Sequence, residues 1–128
     1  MSELIMIDSS CWIKYFRNSD IEIADKVESF IKSDRACICG IIELEIVQGI
    51  RSIQQSSIIQ DVFSVLTYFD FQRPDFIKAG NTISDLRQNG ISVALSDSLI
   101  AELCKRIELK IFTTDNDFSY FQGLEIIQ

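Results

Sequence analysis

A chain of 128 residues, 47% hydrophobic and with nine Phe, fits one domain (residues 1–128) with a sizeable core and excludes a disordered segment. The net charge of −7 argues against broad electrostatic binding to nucleic acid, and the absence of histidine excludes any histidine-based general acid–base mechanism. No apolar stretch approaches the ~20 residues of a membrane span, and the N-terminus lacks the basic region of a signal peptide, so a cytoplasmic protein is expected.

Short apolar runs alternate with helix-period segments, which predicts an α/β fold with a central, mostly parallel sheet of four to five strands flanked by helices. Glu3 to Ile7 reads as a first strand buried on both faces. Ser9 or Ser10 can cap a helix reaching about Asn18, with Trp12, Ile13 and Phe16 turned inward. Ile21, Ala24, Val27, Phe30 and Ile31 recur at helical spacing and predict a second helix. Ala36 to Cys39 is a short strand, and Gly40 permits the turn into a helix from Ile41 to about Gly49. A helix over about Ser52–Ser64 leads to the strand-like Val65–Phe69. Pro74 suits a first helical turn and Asn89-Gly90 a stop, so Pro74–Gln88 is expected to be helical. Ile91–Val93 reads as strand or loop, and Ser96 as the cap of a helix carrying Leu99, Ile100, Leu103 and Cys104. Lys110–Thr113 and Leu124–Ile127 complete the sheet.

Cys11, Cys37, Cys39 and Cys104 read as small buried thiols in a reducing compartment. Cys37 and Cys39 are too close in an extended segment for an unstrained bridge, and the thiol pairs at loop spacing that zinc requires are absent.

Two acids stand where buried strands should stop. Asp8 ends the run Leu4-Ile5-Met6-Ile7, and Asp115 follows Lys110-Ile111-Phe112-Thr113-Thr114. In open parallel sheets, ligand sites lie beyond the carboxyl ends of the strands. Acids gathered there make a poor core and a good seat for a hard divalent cation.

At the segments MIDSSCWIKYF, GIIELEIVQGIRS, ALSDSLIAEL and FTTDNDF the chain resembles the PIN-domain family, especially the VapC-type ribonuclease toxins. The resemblance covers essentially the whole length, with the segments in the family's order. It implies a metal-dependent endoribonuclease acting on RNA, held silent by a cognate antitoxin. It matches Asp8, Glu45, Asp97 and Asp115 to the family's acidic quartet, and Asp117 to an additional acid around the metal. Glu45 is preferred to Glu43 by its spacing to Gly49. Two positions on a helix differ by ~200° of rotation, so only one of the pair can face the site.

The electrostatics agree with that assignment. Two unit charges about 5 Å apart interact by ~3 kcal/mol at an effective dielectric near 20. Four carboxylates in one pocket must therefore repel, take up protons or bind a cation, for which Mg²⁺ or Mn²⁺ is suited. Each acid also has a plainer reading: Asp8 as a helix cap, Asp97 as a partner of its helix dipole, Asp115 and Asp117 as turn residues. Ser10 and Thr113 either bond a carboxylate or cap backbone. Lys14 and Arg17, three apart on the first helix, either flank the acidic site or are solvated charges. Trp12, Tyr15 and Phe16 suit core or a subunit interface, hence a homodimer, better than base stacking.

Other readings are weaker. A haloacid-dehalogenase-type phosphatase wants an acid where Ser10 stands, and a receiver domain wants an acid beside Asp8. A non-catalytic PIN-fold binding module, or a nuclease of RNA maturation without a toxin role, remains as the alternative.

Overall fold

The computed structural model describes residues 3–128. Strand β1 (Ile5–Ile7) buries all three side chains completely, as an apolar run covered on both faces must. With it β2 (Ala36–Cys39), β3 (Thr67–Phe69), β4 (Lys110–Phe112) and β5 (Ile126–Ile127) form one sheet of order β3-β2-β1-β4-β5. Every pairing in it is parallel. The crossovers are helices α1 (Ser9–Arg17), α2 (Ile21–Lys32), α3 (Gly40–Val47), α4 (Ile53–Ser64), α5 (Arg73–Gln88) and α6 (Leu95–Arg106). The α/β class read from the alternation of short runs and helical periods is the one observed.

The topology decides where a ligand can sit. The chain moves outward from β1 through β2 to β3, then returns to the other side of β1 with β4. That reversal opens a crevice at the carboxyl ends of β1 and β4. Ile7 pairs with Phe112, and the Asp8 N–H donates to the Phe112 carbonyl at 2.9 Å. The segments that follow, starting at Asp8 and Thr113, are therefore side by side.

Packing holds this arrangement from several sides. Trp12 is fully buried, stacked on Phe16 at 5.7 Å between ring centroids and edge-on to Phe63 at 5.2 Å, so it belongs to the core. The Tyr15 hydroxyl donates to Glu28 at 2.6 Å and ties α1 to α2. The buried Asp75 carboxylate takes a two-pronged bond from Arg106, at 2.8 and 2.9 Å, which ties α5 to α6. Ser98, also buried, donates to the Ala79 carbonyl across the same helix pair. All four cysteines are buried free thiols. Among the described residues no helix is long and apolar enough to cross a membrane.

Several local expectations need correction. Ser9 and Ser10 do not cap α1: Asp8 holds the cap position, and its side chain makes no capping bond. Ser96 does not cap α6, because the Ser98 N–H already closes the first turn on the Ala94 carbonyl and Ala94 is the cap. Of the two readings of Ile91–Val93, strand or loop, the structure has the loop. Ile13 lies at the surface, and Ile21 is 71% exposed, so the inward stripe of α2 does not include it. Val65 is 69% exposed and belongs to the turn closing α4, leaving β3 to begin at Thr67. Gly40 serves less by backbone freedom than by room, since a Cβ there would stand 2.8 Å from the Tyr68 hydroxyl. A short 3-10 segment, Asn116–Tyr120, follows β4 where only a turn was expected.

Candidate metal centre

Asp8 is delivered by the end of β1 and is almost wholly buried. One of its carboxylate oxygens, Oδ2, accepts from the Thr113 hydroxyl at 2.9 Å and from the Ser10 hydroxyl at 3.0 Å. Ser10 and Thr113 thus spend their protons on a carboxylate rather than on backbone caps. Burial pushes the Asp8 carboxyl up, the two hydroxyls pull it down, and Asp115 adds repulsion, with a net upward shift.

Asp115 sits two residues past Thr113. Its N–H donates to the Thr113 hydroxyl oxygen at 3.0 Å, and its Oδ1 accepts from the Asp117 N–H at 2.9 Å. The turn reading of this segment and the site reading are therefore both satisfied, because one carboxylate oxygen caps the 3-10 segment and the other remains available. Asp97, half-buried in the first turn of α6, faces the same loop. One carboxylate oxygen from each of Asp97, Asp115 and Asp117 lies within 4.8 Å of the other two.

Asp97 is where the charges converge. Its carboxyl is raised to about 7, first by burial and then by repulsion from Asp8, Asp115, Glu45 and Asp117. Glu45 approaches from α3, its carboxyl raised by burial and by Asp8 and opposed by the Ser9 hydroxyl. Its Oε1 is buried without a hydrogen-bond partner. Glu43 lies on another side of α3, where its charge acts on the Tyr68 hydroxyl. The other four acids singled out in the sequence thus all act on Asp97. Asp97, Asp115 and Asp117 form the tight group, and Asp8 and Glu45 border it.

The donor set fits a hard cation. It offers oxygen ligands only, an unpartnered buried carboxylate oxygen at Glu45, and an acid at Asp97 that holds a proton far above its ordinary range when no cation is present. The role of Ser9 beside Glu45 was not legible in the sequence, where Ser9 read only as a cap.

The PIN domain family model matches residues 5–124. Ribonuclease VapC11 of Mycobacterium tuberculosis is 26% identical over 129 residues, covering 98% of this chain and 96% of its own. Among solved structures, the DNA-bound VapBC of Salmonella typhimurium superposes with a TM-score of 0.81 at 21% identity, over 98% of both chains. VapBC-1 of nontypeable Haemophilus influenzae gives a TM-score of 0.80 at 17% identity, over 98% of this chain and 97% of its own. With nearly its full length matched by the family model and its acids gathered at the switch point of the sheet, this chain belongs to the PIN domain family.

Proposed function

We propose that this protein is a VapC-type ribonuclease that hydrolyses RNA phosphodiester bonds with Mg²⁺ or Mn²⁺, and that it is the toxin of a toxin–antitoxin pair in the cytoplasm. The observation that carries the reading is the convergence of four carboxylates, from three other segments of the chain, on Asp97. Family membership, and full-length relatives named as ribonucleases, supply the reaction class. Solved structures of the same fold are titled as VapBC complexes, which supports an antitoxin partner. Large apolar side chains left at the surface, Phe76 and Leu95 among them, favour a homodimer.

In this reading Asp97, Asp115 and Asp117 hold the cation, with Asp8 and Glu45 at its border. When bound, the cation supplies Lewis-acid polarisation of the phosphodiester and eases deprotonation of the attacking water. Thr113 and Ser10 fix the Asp8 carboxylate and oppose the upward pull of its burial, since both donate to the same oxygen. The unpartnered Oε1 of Glu45 is an acceptor for a water proton, a task that falls to a carboxylate in a chain without histidine. Loss of either hydroxyl partner should loosen Asp8 without removing a charge.

The test is cleavage of a structured RNA by the purified protein, with Mg²⁺ or Mn²⁺ and with EDTA. Chelation should abolish cleavage, and Asp8→Asn should lower the rate on the order of 100-fold or more. Cleavage that survives both changes overturns the metal mechanism. A metal-loaded protein that never cleaves RNA would instead be the non-catalytic PIN-fold module. Growth arrest on expression, relieved by co-expressing a cognate antitoxin, separates a toxin from a nuclease of RNA maturation.

A further inference from the structure

Five acids in one crevice repel the polyanion they are proposed to cut, so something on this surface must attract it. Half of the twelve cations of this chain are engaged elsewhere. Among the described residues, Lys32, Lys105, Arg106 and Lys110 form ion pairs. Lys26 lies over the Phe112 ring and Arg35 over the Phe30 ring.

Six cations stand outside these contacts, and two of them, Lys14 and Arg17, one helical turn apart on α1, lie beside the acidic site. The Lys14 ammonium lies 3.4 Å from the Thr114 hydroxyl, next in sequence to Asp115. Arg17 lines a cavity with Glu45, Gly49 and Gln55 on the opposite flank. One cation therefore stands beside the Asp115 loop and the other beside Glu45, so the pair brackets the acids along a single helix face.

We propose that Lys14 and Arg17 are the positioning residues for the RNA backbone, gripping phosphates on either side of the scissile bond so that the strand lies across α1. The inference rests on the nuclease reading for its substrate, and it deepens that reading by assigning the phosphate contacts. A lysine serves as a point charge for a phosphate, and an arginine as a planar fork that takes two oxygens. Lys14 is half-buried and Arg17 exposed, and neither belongs to the buried core, so replacing them leaves the core intact.

Binding and turnover can be read separately. Binding of a fluorescein-labelled oligouridine is followed by anisotropy across a salt series in Mg²⁺, using Asp8→Asn so that the RNA stays whole. Adding Lys14→Gln and Arg17→Gln should weaken binding on the order of tenfold. It should also reduce the slope of log K against log salt by about 1.4, roughly 0.7 for each phosphate contact on a single strand. In the cleaving protein the same pair should raise KM with kcat within about threefold, as lost uniform binding does. Lys32→Gln, remote on α2, should change neither.

An unchanged slope in the double variant overturns the proposal, as does an equal loss in Lys32→Gln. A cation that only offsets the acidic cluster would, when removed, tighten Mn²⁺ binding and leave the RNA slope alone, and that pattern also overturns it. If the wild type binds RNA through these two residues yet never cleaves, the cleavage reading fails and this one stands.

Discussion

At the scale of single residues, Glu43 and Glu45 separate cleanly. Burial and the charge of Asp8 both raise the Glu45 carboxyl, while the charge of Glu43 is felt by Tyr68. Two residues apart on a helix, they cannot face the same crevice. Glu45→Gln should therefore lower RNA cleavage on the order of 100-fold at saturating Mn²⁺, and Glu43→Gln should stay within about twofold of wild type. Side-by-side rates for the two purified variants check this. A dead Glu43→Gln beside an active Glu45→Gln would reverse the assignment of the two faces.

At the scale of elements, the junction of α5 and α6 rests on the Asp75–Arg106 pair. Burial alone would raise the Asp75 carboxyl, but the Arg106 fork and the Gln72 N–H outweigh it and hold it below its ordinary value. A carboxyl depressed in the folded state contributes stability that is complete above about pH 4 and is lost as the pH falls through the depressed value. Urea unfolding at pH 6 and at pH 3 should show wild type losing more stability on acidification than Asp75→Asn. Equal acid losses in the two proteins would mean that Asp75 contributes nothing to the pH dependence. Arg106→Met should be the harsher change, about 3–5 kcal/mol, because it strands a buried carboxylate. Asp97 sits in the first turn of α6, at the opposite end from Arg106, where the neighbouring Ser98 hydroxyl bonds the Ala79 carbonyl of α5.

At the scale of the whole molecule, the sheet reversal forces like charges together, and stability should register it. Asp97 is the place to look, since Asp115 also caps the 3-10 segment and a change there mixes two effects. Held at pH 8 in EDTA, where Asp97 is ionised, Asp97→Asn should melt higher than wild type. The gain is on the order of 1 kcal/mol after allowance for solvent screening. Added Mn²⁺ should then stabilise wild type by roughly 2.7 kcal/mol at a hundredfold excess over its dissociation constant, and the variant by less. Thermal melts of both proteins in both conditions check the pair of expectations. A variant that melts lower in EDTA would show Asp97 to be a structural carboxylate.

The order of strands and helices was legible because burial writes a period into the residues: Ile5–Ile7 and Ala36–Cys39 are continuous apolar runs, and a helix such as α6 carries its apolar face at three- and four-residue spacing. Asp8 and Asp115 were legible for the same reason, since a charge at the end of a buried run is out of place unless something there needs it, whereas Glu45, Asp97 and Asp117 were picked out only by the family resemblance. Carboxylate bonds for Ser10 and Thr113 were legible only as one of two readings, and the role of Ser9, the capping of α6 by Ala94 and the Asp75–Arg106 pair were not legible at all. The Thr113 and Arg106 bonds depend on which distant residues the fold sets side by side, and local propensity carries no record of that partner. Thr113 lies 105 positions from Asp8, and Arg106 lies 31 from Asp75. The residues alone place Asp8 and Asp115 at the ends of buried strands; only the tertiary structure decides that Asp97 is the acid the others crowd, because α6 is folded back over those ends.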